Sequence, residues 1–166
     1  MHQFQPYPAN LFETNPFTKI GSDWMLITAG DKEKANTMTA SWGGFGVLWG
    51  KNVAYIFVRE SRYTKEFLDK KDTFSLTFFE GHKMDLKYLG AVSGRNEDKL
   101  ANAHLTLNYA GDIPFIDEGN LIFLCKKLSA TPITTEQFCD PSVAEFYKNG
   151  DFHTMYVGEI TQILAR

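Results

Sequence analysis

The chain has 166 residues, 43% of them hydrophobic, which is enough for one domain with a sizeable core and tight for two. Its net charge is −3 and its lysines and arginines are scattered among acids, so the electrostatic case for a nucleic-acid binder is missing; no apolar run approaches the length of a membrane span. An aromatic content of 14%, with fourteen phenylalanines and three tryptophans, exceeds the needs of an average core and points to stacking surfaces or an apolar partner interface.

Residues 1–12 are polar and proline-bearing, so they read as neither signal peptide nor anchor. SDWMLITAG (22–30) alternates as a strand, and DKEKAN after it has the charge and asparagine of an exposed turn, so a hairpin is expected. TMTASWGGFGVLWG (37–50) sets threonine, serine and glycine between large apolar groups, which suits a strand whose backbone approaches a ligand. VAYIFV (53–58) reads as a short, fully buried strand. Thr64 is the expected cap of a short helix over KEFLDKK, with Phe67 and Leu68 on its apolar face. In DTFSLTFF, Phe74, Leu76 and Phe78 alternate with Ser75 and Thr77, which turns one side of that strand to the core. HKMDLKYLGAV and NEDKLANA read as two further helices with a break at 93–95.

An irregular stretch around Pro114 leads into the strand NLIFLCKKL, and Asp140-Pro141 opens a helix that Gly150 ends. HTMYVGEITQIL alternates over its whole length as a long terminal strand. Strands outnumber helices and adjacent ones are joined by short turns. The expected class is therefore mainly β with short peripheral helices, an antiparallel barrel rather than a parallel doubly wound sheet. Without repeats or linkers, residues 1–166 form a single expected domain.

The two cysteines, Cys125 and Cys139, fit neither a zinc pair nor a redox CxxC, and read as reduced thiols of a cytoplasmic protein. No histidine pair has metal-ligand spacing, so no metal is expected. Gly44 and Gly46 begin a GxG, but Trp49 stands where a dinucleotide fingerprint needs its third glycine, and Gly50-Lys51 is followed by Asn52 rather than Ser or Thr. No GxSxG elbow is present, which lowers a hydrolase reading.

What remains is a run of short polar side chains and amides, Asn36, Thr37, Thr39 and Ser41, followed closely by RESRYT (59–64). A phosphate monoester wants several N–H and O–H donors with one or two cations, and a guanidinium can supply a bidentate pair. A flat tricyclic ring wants an apolar slot, for which Met38, Trp42 and Tyr63 are candidate walls. Together these parts fit flavin mononucleotide (FMN).

NTMTASWGGFGVLW, then VRESRYTKEFL, SGRNEDKL and MYVGEI, in that order, resemble the flavin reductase-like family over most of the chain. The resemblance implies an FMN-binding split β-barrel of antiparallel Greek-key type, of the flavoredoxin kind, with the FMN non-covalent and the protein a homodimer. By position it implies that Asn36, Thr37, Met38, Thr39, Ala40, Ser41 and Trp42 line the isoalloxazine. Arg59, Ser61, Arg62, Tyr63 and Thr64 would surround the ribityl phosphate, Thr64 at a helix start where the dipole favours an anion. Ser93, Gly94, Arg95 and Lys99 match the family's SGR and DK positions and would close the site. Two positions depart from the pattern. Glu60 stands where many relatives have proline, and Phe152 separates Asp151 from His153 where some reductases have Gly-Asp-His as a nicotinamide contact. His153 is retained as a candidate nicotinamide contact.

Singly, each feature has a plainer explanation. Arg59 and Arg62 could be solvated charges paired with Glu60 and Glu66, SWGG a packed bulge, Ser93-Gly94-Arg95 a common turn, and Cys125 inert core. Their conjunction in family order carries the FMN reading. The expected function is an NAD(P)H-dependent oxidoreductase that passes hydride to flavin N5, with no acid-base residue required. The alternative is an electron carrier or flavin-storage protein with no NAD(P)H activity of its own. A third reading is an interaction module that uses the aromatic surplus.

Overall fold

The computed structural model describes residues 1–166. After a short strand β1 (Gln5–Tyr7) and a one-and-a-half-turn helix α1 (Pro16–Gly21), the chain enters β2 (Met25–Gly30) and β3 (Ala35–Ala40). These two form the expected hairpin. Asp31 closes its turn by accepting from the N–H groups of Glu33 and Lys34 at 2.9 and 3.0 Å, the local side-chain bonding that makes aspartate a turn former.

The expected single strand over 37–50 is instead two, because the chain turns a corner at Ser41-Trp42 between β3 and β4 (Gly43–Leu48). Gly43 makes that corner. Its φ is +153°, and a Cβ there would stand 2.6 Å from the Tyr55 carbonyl oxygen. β5 (Lys51–Arg59), β6 (Thr73–Phe78), β9 (Leu121–Pro132) and β10 (His153–Ala165) complete the sheet, whose order is β3-β2-β6-β9-β10-β5-β4, with β1 beside β10 and every pairing antiparallel. Helix α2 (Tyr63–Lys70) carries the chain from β5 back to β6 beside β2, the long return of a Greek key. The two edge strands of the sheet, β3 and β4, are therefore neighbours in sequence. Three peptide steps reach at most about 11 Å, so the sheet must curl into a barrel that stays split between them.

The interior of the barrel is apolar. Met25, Ile27, Ile56, Phe74, Phe78 and Tyr156 are fully buried there, and Phe45 and Phe123 meet each other, Phe12 and Phe78 in an aromatic cluster with centroids 4.9 to 6.0 Å apart. In β6 the alternation holds, but Ser75 and Thr77 are as buried as the phenylalanines. The stretch around Pro114, expected to be irregular, is a hairpin of β7 (Leu107–Ala110) and β8 (Ile113–Ile116) that covers their side of the sheet. Ser75 Oγ donates to the Pro114 carbonyl at 2.6 Å and Thr77 Oγ1 accepts from the Ile116 N–H at 3.3 Å, so neither hydroxyl is orphaned.

Three further expectations change. VAYIFV is not buried throughout, since Tyr55 and Phe57 are half-exposed on its outer face. NEDKLANA contributes only one helical turn, α4 (Lys99–Asn102), capped by Asp98, whose carboxylate accepts from the Ala101 N–H at 3.1 Å. Asp140-Pro141 opens a 3-10 helix, Pro141–Tyr147, rather than an α-helix. The longer helix over 82–92 is present as α3 (Lys83–Ala91), and it packs Leu86 and Leu89 against Leu26 and Ile116 in a second, smaller core. No helix is long and apolar enough to cross a membrane.

Candidate functional site

At the split, β3, the start of α2, the end of α3 and the start of α4 enclose a cavity of about 180 Å³ lined by Asn36, Met38, Ser61, Arg62, Tyr63, Thr64, Ser93, Gly94 and Lys99. These nine belong to the sequence-derived set, whereas Gly90, Ala91 and Val92 at the end of α3, which complete the lining, do not. Asn36 donates through Nδ2 to Thr64 Oγ1 at 2.8 Å, tying the edge strand to the first turn of α2. Thr64 is thus not the helix cap. Arg62 holds that place without a side-chain bond, and Thr64 sits inside the turn. Glycine is needed at 94 because a Cβ there would fall on Asn36 Oδ1.

Two cations face this cavity and neither has a carboxylate partner. Lys99 is 4% exposed, and its Nζ donates to the carbonyls of Leu89 and Val92 at 3.1 and 3.2 Å. Arg62 donates through Nη1 to the Gly90 carbonyl at 3.1 Å. The last turn of α3, with its exposed carbonyls and negative dipole end, therefore collects both groups. A helix terminus offsets only part of two full charges. Burial, and then the neighbouring Arg62, push the Lys99 ammonium down to about 8, and burial likewise lowers Arg62. No acid lines the cavity, so the arrangement favours an anion as the missing partner.

A second cavity of about 180 Å³ shares Met38 and Arg62 with the first and extends along the split past Thr39, Ala40, Ser41 and Trp42 to Phe57, Arg59 and His153. β3 is an edge strand, so every second residue along this wall presents its N–H and C=O away from the ladder. Thr39 Oγ1 donates to the Leu86 carbonyl at 2.5 Å, which fixes α3 against that strand. Trp42 is 43% exposed and closes the far end against His153, with centroids 5.1 Å apart, and against Phe146, 5.5 Å away and edge-on.

Besides Thr39, whose hydroxyl is taken by Leu86, four expected ligands have other partners. Thr37 is fully buried and donates to the Ile27 carbonyl at 3.1 Å, its hydroxyl turned away from both cavities. Arg59 lines the second cavity, but its guanidinium donates to the carbonyls of Asp151 and Phe146 at 2.5 and 3.2 Å; it pins the segment before β10 and does not face the first cavity. Ser61 gives both its N–H (3.0 Å) and its hydroxyl (2.6 Å) to the Asp151 carboxylate. Arg95 pairs with Glu66 and lies over the Tyr63 ring, outside the cavities. The sequence reading missed Phe57, Tyr147 and the α3 carbonyls, and named Asp151 only in the Gly-Asp-His comparison, not as the partner of Ser61 and Arg59; main-chain acceptors leave no mark in residue type, and Tyr147 sits in a stretch with no recognisable motif.

The fold and these paired cavities define a split β-barrel protein with an acid-free, cation-lined pocket beside an aromatic-walled cleft. Residues 17–166 match the family model described as Flavin reductase like domain, and the chain belongs to that family. No curated protein sequence matches it. Among solved structures, flavoredoxin from Methanosarcina acetivorans has a TM-score of 0.66 at 24% identity, over 87% of this chain and 68% of that one. An FMN-binding domain of a flavin reductases-like enzyme from Shewanella baltica has a TM-score of 0.70 at 16% identity, over 98% and 77%. The NADH:FAD oxidoreductase of Streptomyces globisporus has a TM-score of 0.63 at 17% identity, over 87% and 75%. At these identities the likeness is one of fold.

Proposed function

We propose that the protein binds FMN non-covalently in the joined cavities and exchanges electrons with NAD(P)H, as a cytoplasmic flavin or small-acceptor oxidoreductase. The observation that carries this reading is the pair of cations, buried Lys99 and half-buried Arg62, sharing a pocket with no carboxylate in its lining. In it, Arg62, Lys99 and the free N–H groups at the start of α2 hold the phosphate. Asn36, Thr64 and Ser93 line the path of the ribityl chain, and the edge of β3, Met38 and Trp42 take the ring. The chemistry a bound FMN supplies is hydride acceptance at N5. The residues around it orient the ring, leave one face open and exclude water from the other.

Membership of the family and a flavin-reducing neighbour support turnover with a nicotinamide donor. The flavoredoxin neighbour supports the second reading, an electron carrier without NAD(P)H activity. Anaerobic addition of NADH or NADPH to purified holoprotein separates the two. Bleaching of the flavin band within minutes is expected, and no bleaching with either donor leaves only the carrier. Protein purified without flavin that also ignores added FMN removes both.

A homodimer belongs to the same proposal. The unpaired edge of β4 carries Val47, Trp49 follows it, and Phe17 lies on the adjacent α1, all at least 61% exposed. Such a patch on an edge strand needs a cover. Light scattering reports the mass directly, and a monomer at micromolar concentration refutes the dimer.

A further inference from the structure

One edge of the cation-lined pocket is given to an anion of the chain itself. Ser61 lines that edge beside Arg62 and presents an N–H and a hydroxyl from the bend that leads β5 into α2. Both donors go to the Asp151 carboxylate, the N–H to one oxygen at 3.0 Å and the hydroxyl to the other at 2.6 Å. A phosphate asks for the same pair, since it too offers neighbouring oxygens on a charged centre. The contact is exposed, so an anion can reach it.

The fold holds Asp151 at this position. Its carbonyl receives Arg59 at 2.5 Å, and the next carbonyl, that of Phe152, accepts from the Glu60 N–H at 3.0 Å. On the other side the chain turns at Gly150, whose φ is +70° and whose N–H donates to the Tyr147 carbonyl at 2.9 Å. With the main chain tied down on both sides, side-chain torsions carry the carboxylate to Ser61. Its charge also reaches Arg62: burial lowers that guanidinium, and Asp151 partly offsets the shift. The other acids of this bend are turned elsewhere, Glu60 to Thr154 and Lys65 and Glu66 to Arg95.

We infer that the Asp151 carboxylate competes with the FMN phosphate for the two donors of Ser61, and so sets how tightly the flavin is kept. Two anions side by side repel, and one pair of donors cannot serve both. When the phosphate leaves, Asp151 takes up both donors, so no polar group at that edge is left unpaired and departure costs less. The pocket is thereby tuned to exchange its flavin rather than to retain it. The inference rests on the flavin reading for the identity of the phosphate ester; the competition at Ser61 concerns any phosphate.

The test compares FMN, riboflavin, which lacks the phosphate, and inorganic phosphate in the unmodified protein, Asp151→Asn and Asp151→Ala. Asparagine keeps the shape and an acceptor for Ser61 while removing the charge; alanine removes both. The FMN dissociation constant should fall about tenfold in Asp151→Ala and less in Asp151→Asn, through slower release in stopped-flow fluorescence, with riboflavin affinity the same throughout. In isotope-labelled unmodified protein, inorganic phosphate should shift the Ser61 amide resonance, and chloride at equal ionic strength should not. If Asp151 serves only to hold the segment before β10, FMN affinity is unchanged in both variants, or falls in both together with that of riboflavin, and either result overturns the inference. So does a Ser61 amide that inorganic phosphate leaves in place. A protein that ignores both flavins, but whose Ser61 amide answers to inorganic phosphate at lower concentration in Asp151→Ala, sinks the flavin reading and leaves the competition standing.

Discussion

Lys99 makes FMN binding depend on pH in a way that can be worked out from its surroundings. In the free protein its ammonium is pushed down to about 8 by burial and by Arg62. A phosphate dianion in the same pocket supplies the missing negative charge and returns the group toward its ordinary value, so binding takes up a proton above pH 8. The free protein must protonate Lys99 before it binds well, and the dissociation constant grows as 1 + 10^(pH − 8). Between about pH 7 and pH 9 that is roughly a tenfold loss of affinity. The phosphate stays doubly ionised across this window, since its second pKa is about 6, so the change belongs to the protein. Quenching of FMN fluorescence gives the affinity at each pH, and calorimetry in buffers of different ionisation enthalpy gives the proton uptake, about half a proton at pH 8. Lys99→Met should bind weakly and lose the pH dependence. The stability of the flavin-free protein should move the opposite way. Lys99 deprotonates more readily folded than unfolded, so stability rises between pH 8 and the ordinary lysine range. A dissociation constant that stays level from pH 7 to pH 9, or the same slope in Lys99→Met, refutes the reasoning.

Arg62→Ala should raise the FMN dissociation constant by about 10- to 100-fold, the loss of a charge-assisted phosphate contact, whereas Arg59→Ala should leave FMN affinity close to unchanged. The Arg59 variant should instead speed amide exchange over 141–152, whose carbonyls it holds, and the two variants compared by titration and exchange separate ligand from pin. Gly94→Ala places a methyl on Asn36 Oδ1 and should weaken FMN binding with little change in the unfolding temperature. Phe123→Ala opens the centre of the barrel's aromatic cluster and should cost about 3 to 5 kcal/mol in denaturant unfolding. Because His153 is neutral down to about 4, steady-state rates should show no histidine inflection between pH 5 and pH 8.

The segment 133–152 links the two cavities more tightly than its composition announces. Asp151 takes both donors of Ser61 at the edge of the phosphate pocket, and its own carbonyl receives Arg59. Four residues earlier, Tyr147 bonds His153 at the ring end of the cleft. A ligand that displaced Asp151 from Ser61 would therefore also disturb the wall that carries His153.

Much of this molecule was legible in the residues alone. The β2–β3 hairpin follows from alternation and the turn chemistry of Asp31, and the core side of β6 follows from Phe74, Leu76 and Phe78. Part of the candidate site was recognisable because Asn36, Arg62, Thr64 and Lys99 are polar side chains whose types report what they bind. Local pattern could not show that Ser75 and Thr77 are buried, because their cover is a hairpin some forty residues away. Nor could it tell Arg62 from Arg59. Both end the same strand region, but one points at the α3 carbonyls and an acid-free pocket and the other at the main chain of a distant segment. Residue type and periodicity determine which groups are available and which face of an element is apolar. Only the closed path of the sheet, which brings β3 and β4 to the two sides of one split, decides which of those groups share a cavity and which are already bonded to each other.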